Sequence, residues 1–246
     1  MRAFTDIHCH ILPGLDDGPE RIEQSIQMLQ LAKADGLGCI AATPHFKEGI
    51  CENTGSRIKE ALAGLENHAA GIRLCPGADV RICRNIVERI RAGQIQPING
   101  GNYVLLEMPD FVLPPIEGLQ RVLKEMTEAG YTPVITHPER HPAIARDFEG
   151  ILGWLRAAGA IFQVTAQSIT GHFGKGAQKT SGAMLKKGLV HVVASDAHGP
   201  ERHKRPPLLS GAYSYVKMKF GADYADLLFM ANPECVVNGG QVEDLS

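Results

Sequence analysis

Six short polar clusters in this sequence each follow a run of residues that reads as a β-strand. Their polar members are mostly His, Asp and Glu, the side chains that bind ions in hydrolytic metal centres. One cluster alone would carry little weight, whereas six at the same phase of a repeating pattern predict one metal site. The clusters are Asp6-Ile7-His8-Cys9-His10, Thr43-Pro44-His45, Gly77-Ala78-Asp79, Leu106-Glu107-Met108, Thr136-His137-Pro138 and Ser195-Asp196-Ala197-His198.

Two of the clusters place their polar residues two positions apart. His8 and His10 do so near the start of the chain, and Asp196 and His198 repeat the spacing near its end. Side chains at i and i+2 of an extended segment point to the same face. A single pair would be compatible with ordinary surface histidines. Two pairs on the first and last strands favour convergence on a common site.

Strand-like and helix-like segments alternate along the whole sequence. Seven short apolar runs are bounded by turn residues and separated by segments with helical apolar spacing. This alternation predicts seven βα units and a parallel sheet. The predicted strands cover residues 3–8, 39–43, 72–76, 103–108, 133–136, 161–165 and 190–194.

The placement of the polar clusters distinguishes between two parallel architectures. A doubly wound sheet usually concentrates function at one switch point. Here polar residues follow strands one, two, three, four, five and seven. Only the carboxyl-terminal mouth of a barrel brings all of these strand ends together. The sequence therefore predicts a closed or nearly closed seven-stranded barrel.

Composition excludes several other classes of protein. The 246 residues are 44% apolar and 21% charged, as in an ordinary globular domain. A net charge of −2 gives no case for nucleic acid or an anionic membrane as a partner. No apolar run approaches 18 residues and no leader-like segment opens the chain, so we expect a cytoplasmic protein without membrane insertion. The six cysteines form no C-x-x-C pair, which favours reduced thiols.

The ordered motifs resemble those of the polymerase and histidinol phosphatase (PHP) superfamily, in its bacterial capsule and exopolysaccharide protein-tyrosine-phosphatase branch. The resemblance spans almost the whole chain, with the motifs in order and at similar spacing. The segments that carry it are DIHCHILPGLDDGP (6–19), ATPHF (42–46), GADVRI (77–82), LLEMP (105–109), YTPVITHPERH (131–141), QVTAQSITGHFG (163–174) and VVASDAHG (192–199), with Arg205-Pro206-Pro207.

This resemblance implies a fold, a cofactor and a set of ligands. The fold would be α/β, a distorted (β/α)7 barrel of the PHP type, forming one domain over residues 1–246 with a frayed tail from about 239. The barrel would hold two or three divalent ions, manganese first, with zinc or iron as alternatives. The implied metal ligands are His8, His10, Asp17, His45, Asp79, Glu107, His137, Asp196 and His198.

One implied ligand departs from the family pattern. Proteins of this type usually carry Glu where this chain has Asp79. Because Asp is one methylene shorter, we expect either a ligand to a single ion or weaker binding of one ion.

The function implied by the resemblance is metal-dependent hydrolysis of phosphotyrosine in proteins, in the regulation of capsule or exopolysaccharide synthesis. Arg140 and Arg205 match the family's phosphate-binding arginines, and a planar guanidinium suits phosphate oxygens. The implied partner is the tyrosine-rich tail of a bacterial tyrosine kinase. Two alternatives stay open: a phosphatase of a small metabolite such as histidinol phosphate, and a catalytically impaired metal-binding regulatory protein.

Several other residues invite a functional interpretation that the sequence does not favour. The C-x5-R spacing of thiol-dependent tyrosine phosphatases occurs three times, best at Cys51 to Arg57, and chance explains it better than chemistry. His141 is either a proton donor or, more simply, an exposed loop residue. His172 and His203 lie near the predicted mouth and stay ambiguous. Amidohydrolase chemistry is disfavoured because Glu107 stands where a carboxylated lysine would be expected.

Overall fold

The described residues form ten short strands, and nine of these make up the inner layer of the protein. A computed structural model describes residues 3–244. Each of the seven predicted strand positions contains an observed strand, so the predicted α/β fold is confirmed. The strands are β1 (Phe4–Cys9), β2 (Leu37–Ala42), β3 (His45–Lys47), β4 (Cys51–Glu52), β5 (Arg73–Pro76), β6 (Asp79–Arg81), β7 (Tyr103–Glu107), β8 (Thr132–Thr136), β9 (Ile161–Thr165) and β10 (Val192–Ala194).

The strands follow one another around a ring. One sheet has the order β1-β2-β5, and the other has the order β10-β9-β8-β7-β6-β3-β4. β3 continues β2, and β6 continues β5, after short interruptions. Counted in this way, seven parallel strands follow in chain order, and β4 pairs antiparallel to β3 outside the ring. A parallel bridge between Cys9 and Ala197 joins the first strand to the last. The predicted distortion lies in the two interrupted strands.

Both interruptions have a local cause. The first falls at Thr43-Pro44, where proline has no N–H to continue the ladder. The second falls at Gly77-Ala78, where a Cβ on Gly77 would lie 2.7 Å from Cδ1 of Ile98. Only glycine allows this close approach. The interruptions make His45 and Asp79 the first residues of β3 and β6, where they pair with each other across the sheet.

Helices cover the outside of the strands. α4 shows the amphipathic pattern clearly, because Leu119, Leu123 and Met126 are buried at helical spacing. No helix among residues 3–244 is both long and apolar enough to cross a bilayer. The helices are α1 (Ile22–Asp35), α2 (Gly55–Glu66), α3 (Ile86–Arg91), α4 (Ile116–Glu128), α5 (Pro142–Arg146), α6 (Phe148–Ala157), α7 (Ala166–Ile169), α8 (Gly174–Lys186), α9 (Ser210–Phe220), α10 (Ala222–Asp226) and α11 (Asn232–Asn238).

A distinct apolar cluster fills the ring toward the amino ends of the strands. Its members come from alternate strand positions, among them Ile7, Leu105 and Val134, which are fully buried. Val236 and Val237 of α11 pack against the same cluster. The amino-terminal end of the ring is thus closed by side chains.

The carboxyl-terminal tail is ordered further than the sequence predicted. Tyr103 Oη donates a hydrogen bond to the carbonyl of Gly240 at 2.8 Å. Asn232 exchanges two hydrogen bonds of 2.9 Å with the backbone of Glu243. The expectation of a frayed tail from about 239 is therefore wrong for residues 239–244, because buried polar groups elsewhere in the chain pair with it. The last two residues lie outside the described part of the chain.

Candidate metal centre

The carboxyl ends of the barrel strands meet at one cavity of about 330 Å³. Eight of the eleven predicted site residues line it, and the other three lie buried directly beneath. The three buried residues are His8, His10 and Asp79, each with no exposed surface. The eight lining residues are Asp17, His45, Glu107, His137, Arg140, Asp196, His198 and Arg205.

Three overlapping groups of side chains have ligand atoms within 4.8 Å of one another. They contain eight of the nine predicted ligands, and His10 and His45 each belong to two groups. The ninth, His137, lies beside them, with Nε2 3.9 Å from Oε1 of Glu107. The groups are His10, Asp17, His45 and His198; His8, His10 and Asp196; and His45, Asp79 and Glu107.

The two pairs with i, i+2 spacing converge as expected from neighbouring first and last strands. Nε2 of His8 and Nε2 of His10 lie 3.1 Å apart. Oδ1 of Asp196 is 3.4 Å from the first of these nitrogens and 3.5 Å from the second. The ring of His198 stacks on that of His10 with centroids 3.9 Å apart. One carboxylate oxygen therefore faces two imidazoles, an arrangement that suits a shared cation.

Asp79 reaches the cluster despite its shorter side chain. Its Oδ2 lies 3.1 Å from Nδ1 of His45 and 3.6 Å from Nε2 of His8. Burial raises the pKa of Asp79, but the neighbouring His8 and His45 outweigh it and hold this pKa well below the ordinary value.

Two buried atoms in this contact fit a metal ion. Oδ2 of Asp79 and Nδ1 of His45 face each other at 3.1 Å, but neither atom forms a well-aligned hydrogen bond with a described residue. A buried polar atom without a partner is costly, and a buried carboxylate more so. A divalent cation would satisfy both atoms.

Strained backbone occurs at three residues of the same site. His137, Asp196 and Arg205 have φ angles of 37°, 52° and 57°, in the left-handed region that non-glycine residues rarely adopt. The Asp196 conformation is held by its N–H, which donates to the carbonyl of His8 at 2.8 Å. Such strain costs on the order of 1 kcal/mol or more per residue and clusters at functional sites.

Asp16 is a polar residue of the site that sequence reasoning missed. Its Oδ2 lies 2.6 Å from Nδ1 of His10 and accepts from the backbone N–H of His45 at 2.8 Å. Burial alone would raise the pKa of Asp16, but the neighbouring His10 and the backbone donors lower it to about 2. The next residue, Asp17, is largely exposed, yet its Oδ1 comes within 3.5 Å of Nε2 of both His45 and His198.

Gln163 supports His8 in the same way. Its Oε1 lies 2.8 Å from Nδ1 of His8, and the residue is fully buried. An amide oxygen accepts only, so Nδ1 carries the proton and Nε2 is left free to face the cluster. The available signal was a polar residue at the centre of the apolar run 161–165.

The two predicted arginines face the cavity together. Nη2 of Arg140 is 2.8 Å from Oδ2 of Asp196, and Nε of Arg205 donates to the Asp196 carbonyl at 2.9 Å. Both guanidinium groups lie over the ring of Phe173, at 4.5 and 5.5 Å from its centroid. Cation–π contact with one ring keeps the two charges side by side.

Two further cations at the rim were also missed. Nε of Arg81 donates to Oε2 of Glu107 at 2.9 Å, and Nζ of Lys47 lies 3.6 Å from the same oxygen. Both residues line the cavity. They are the last residues of β6 and β3, a position that isolated sequence motifs do not reveal.

The ambiguous histidines are located outside the ligand groups. His141 is buried, not exposed: its Nε2 donates to the carbonyl of Pro109 at 2.9 Å, and its Nδ1 accepts from the N–H of Ala143. The expectation of an exposed loop residue is therefore wrong, because His141 caps α5. His172 and His203 are exposed and do not line the cavity.

Thiol chemistry finds no support at Cys51. Its Sγ donates to the carbonyl of Leu15 at 3.2 Å. Burial, with Asp16 adding to it, raises the pKa of Cys51, whereas a thiolate nucleophile needs a lowered one. Burial likewise raises the pKa of Cys83 to about 11. All six cysteines are free.

Comparison with known families identifies the chain. The model of a family described as capsular polysaccharide synthesis, CpsB/CapC, matches residues 4–238. The chain belongs to this family. Its sequence is 34% identical to the CapC protein of Staphylococcus aureus over 244 residues, covering 97% of this chain and 93% of the relative. It is also 34% identical to the tyrosine-protein phosphatase YwqE of Bacillus subtilis (strain 168) over 199 residues, covering 79% and 77%.

Solved structures agree with this assignment. A chain from the crystal structures of YwqE from Bacillus subtilis and CpsB from Streptococcus pneumoniae, described as metal-dependent tyrosine phosphatases, superposes with a TM-score of 0.89. It is 30% identical, and the match covers 98% of this chain and 97% of that one. The dihydropyrimidinase of Brevibacillus agri superposes with a TM-score of 0.59 at 12% identity, covering 100% of this chain and 74% of that one. This second likeness shows a shared fold alone.

Proposed function

We propose that this chain hydrolyses phosphotyrosine in proteins, using divalent ions bound by the nine predicted ligands. The observation that carries the proposal is the joint arrangement at one cavity: three overlapping ligand groups with Arg140 and Arg205 beside them. Buried carboxylates and imidazoles bind the ions, and the guanidinium groups bind the phosphate. Relatives described as metal-dependent tyrosine phosphatases support the same conclusion.

The donor set favours a transition metal. Imidazole and carboxylate donors occur together in each group, a mixture that suits Mn, Zn or Fe better than Ca. We propose two or three ions, with manganese first. Since Asp16 engages Nδ1 of His10, that ring has one nitrogen left and would bind an ion in only one of its two groups. Asp79 belongs to the third group, so its shorter side chain is compatible with a third ion.

Bound ions would supply Lewis acidity, neutralising phosphoryl charge and activating water near neutral pH. The protein's own residues orient the metal ligands and bind the phosphoryl group. Gln163 and Asp16 fix the ring orientation of His8 and His10 from behind. Arg140 and Arg205 then offer two planar donor groups to the phosphoryl oxygens, whose charge they stabilise as it develops.

A phenolate leaving group needs little help from a proton donor in the site. A phenolate has a conjugate pKa near 10, well below that of an alkyl alcohol, so it departs with little help from a proton donor. Both ring nitrogens of His141, the former candidate for that role, are engaged by backbone groups. This arrangement suits an aryl phosphate better than an alkyl one.

We further propose that the substrate is the tyrosine-rich tail of a bacterial tyrosine kinase that controls capsule or exopolysaccharide synthesis. The family's description in terms of capsular polysaccharide synthesis supports this partner. We also propose that residues 1–246 act as one domain, which the family match over residues 4–238 supports.

The test is hydrolysis of a phosphotyrosine peptide by the metal-replete protein. We expect EDTA to abolish activity and Mn²⁺ to restore it. Asp196→Asn removes the charge that faces His8 and His10, so kcat/KM falls by at least about 100-fold. Cys51→Ser is the matched control, and it retains activity because no metal group includes that thiol.

Three results would contradict the proposal. Activity that resists EDTA but disappears in Cys51→Ser would indicate thiol chemistry. Faster turnover of histidinol phosphate than of phosphotyrosine peptides would indicate a metabolite phosphatase. Activity unchanged in His8→Ala would indicate that the metal centre is regulatory.

A further inference from the structure

Large apolar side chains are exposed beside the metal cavity. Ile50 is 85% exposed, Phe111 80% and Val112 72%. Ile50 lies in the turn between β3 and β4, and the other two lie between β7 and α4. The first segment follows β3, which begins at His45, and the second follows β7, which ends at Glu107, so both lie at the mouth of the barrel. Large apolar side chains exposed around a functional site are typical of an interaction surface.

A groove beside this patch opens into the metal cavity. Its lining includes Ile50 and Arg84, together with Lys47, Arg81 and Asp110. The last three residues also line the metal cavity. The groove is therefore continuous with the candidate metal centre, and its volume of about 540 Å³ exceeds that of the cavity itself.

The charges in the groove are paired, with one exception. Arg81 contacts Glu107 and Asp110, Lys47 contacts Glu107, and Glu48 forms an ion pair with Arg89. Arg84 is exposed and makes no hydrogen bond or ion pair with the described residues. The groove thus presents one available cation next to exposed apolar side chains.

We propose that this groove, formed by Lys47, Ile50, Arg81, Arg84 and Asp110 and flanked by Phe111 and Val112, binds the polypeptide that flanks the phosphotyrosine. When a phosphotyrosine side chain reaches the ions, the backbone of its peptide must lie across the rim of the cavity. The groove is continuous with that rim. The flanking sequence that fits it has an apolar residue for Ile50 and Phe111 and an acidic residue for Arg84. This inference rests on the proposed function.

The experiment compares three phosphotyrosine peptides of equal length, flanked by Leu and Glu, by Ser and Gly, or by Leu and Lys. The wild-type protein should prefer the first. Arg84→Glu should reverse the preference between the Glu and Lys peptides, changing the ratio of their kcat/KM values by about tenfold at low salt. Ile50→Ala combined with Phe111→Ala should raise KM for the Leu peptides about tenfold more than KM for p-nitrophenyl phosphate.

Matched controls come from α9. Met218→Ala truncates a side chain that is 72% exposed, and Lys219→Glu reverses an exposed charge. Neither residue lines the cavity or the groove, so neither variant should change peptide preference. A catalysis-independent readout uses the Leu and Glu peptide with Phe in place of phosphotyrosine. Its fluorescence anisotropy should show weaker binding to the two groove variants than to the wild type.

The possible outcomes separate the two proposals. A wild-type protein inactive on every ester, but binding the Phe peptide through the groove, would refute the proposed function alone. Unchanged peptide preference and unchanged anisotropy in the groove variants would overturn the groove proposal. So would equal losses on p-nitrophenyl phosphate and peptides. A change in sedimentation of Ile50→Ala with Phe111→Ala would also overturn it, by assigning the apolar patch to contact between copies of this chain.

Discussion

The two ends of the same barrel strands differ in almost every physical property. Toward the amino ends, the ring is filled by apolar side chains such as Ile7, Leu105 and Val134. Toward the carboxyl ends, the ring contains ionisable groups that are also buried, such as His8, Asp79 and Glu107. On β7 the change takes two residues, from Leu105 with no exposed surface to Glu107 with 6%. Alternate residues of a strand share a face, so both side chains point into the ring.

The difference shows how the fold divides stability and function. The apolar end gains free energy from burial and leaves little unsatisfied. The polar end contains buried atoms of Asp79 and His45 that form no well-aligned hydrogen bond, and left-handed backbone at His137 and Asp196. Local rules of stability are most often broken at functional sites. We therefore expect substitutions at the two ends to separate unfolding free energy from catalysis.

The largest separation of unfolding free energy from catalysis is expected from two substitutions on β7, one at each end of the strand. Leu105→Ala leaves a cavity in the apolar end, so the free energy of unfolding falls by about 2–5 kcal/mol while the folded fraction keeps most of its kcat. Glu107→Gln removes a candidate ligand, so kcat/KM falls at least about 100-fold. Its unfolding free energy changes by only about 1 kcal/mol, because Arg81 and Lys47 are partly exposed and stay hydrated. Urea unfolding in EDTA and turnover on a phosphotyrosine peptide measure the two effects.

The comparison fails if both variants lose activity and stability in the same proportion. Such a result would mean that the two ends form one cooperative unit in which packing sets ligand geometry. Val216→Ala, in a buried position of α9 outside the ring interior, controls for a general loss of packing.

Much of this architecture could be predicted from the sequence. The seven strand positions follow from short apolar runs between turn residues, and the shared phase of the polar clusters places them at one mouth. The convergence of His8 and Asp196 follows from ring closure. These features depend on periodicity and topology, which a single sequence carries.

Other features depend on partners that are distant in sequence. Asp16 and Asp17 are adjacent carboxylates in one loop, and only the fold shows that Asp16 supports His10 while Asp17 faces the cavity. His141 looks like a loop histidine until the carbonyl of Pro109, 32 positions earlier, is placed against it. The ordered tail likewise depends on Tyr103 Oη. Local propensity contains no signal for such contacts.

A smaller effect is expected at Gln163, which lies between the apolar and the polar end of the ring. Its substitution tests whether metal affinity can change separately from stability. Gln163→Leu removes the acceptor that fixes His8, so we expect Mn²⁺ affinity to fall about 10–100-fold. The unfolding free energy of the metal-free protein should fall by only about 1–2 kcal/mol, because removal of the unpartnered Nε2 of Gln163 offsets part of the cost of leaving Nδ1–H of His8 without an acceptor. Calorimetric titration with Mn²⁺ measures the affinity, with exposed Gln120→Leu as the control. Equal affinity in both variants would show that His8 needs no orienting partner.

The smallest effect is expected at His191, which lies at the amino-terminal end of the ring. Nδ1 of His191 accepts from the N–H of Phe162 at 3.1 Å. Burial lowers the pKa of this imidazole, so the unfolded chain takes up a proton more readily than the folded one. The stability contributed by neutral His191 is full above the ordinary pKa of about 6.5 and is lost as pH falls below it.

His191→Asn keeps an acceptor at the same position but cannot titrate. We therefore expect the wild type to lose more unfolding free energy than the variant between pH 7.5 and 5.5, by about 1 kcal/mol or less. Urea unfolding of both proteins in EDTA removes the contribution of bound metal from the comparison. A larger loss in the variant would mean that protonated His191 is stabilised in the folded state, with Asp244 at 3.7 Å from Nε2 as its partner. A charge pair between His191 and Asp244 would then stabilise the amino-terminal end of the ring, as charge pairs do at the mouth.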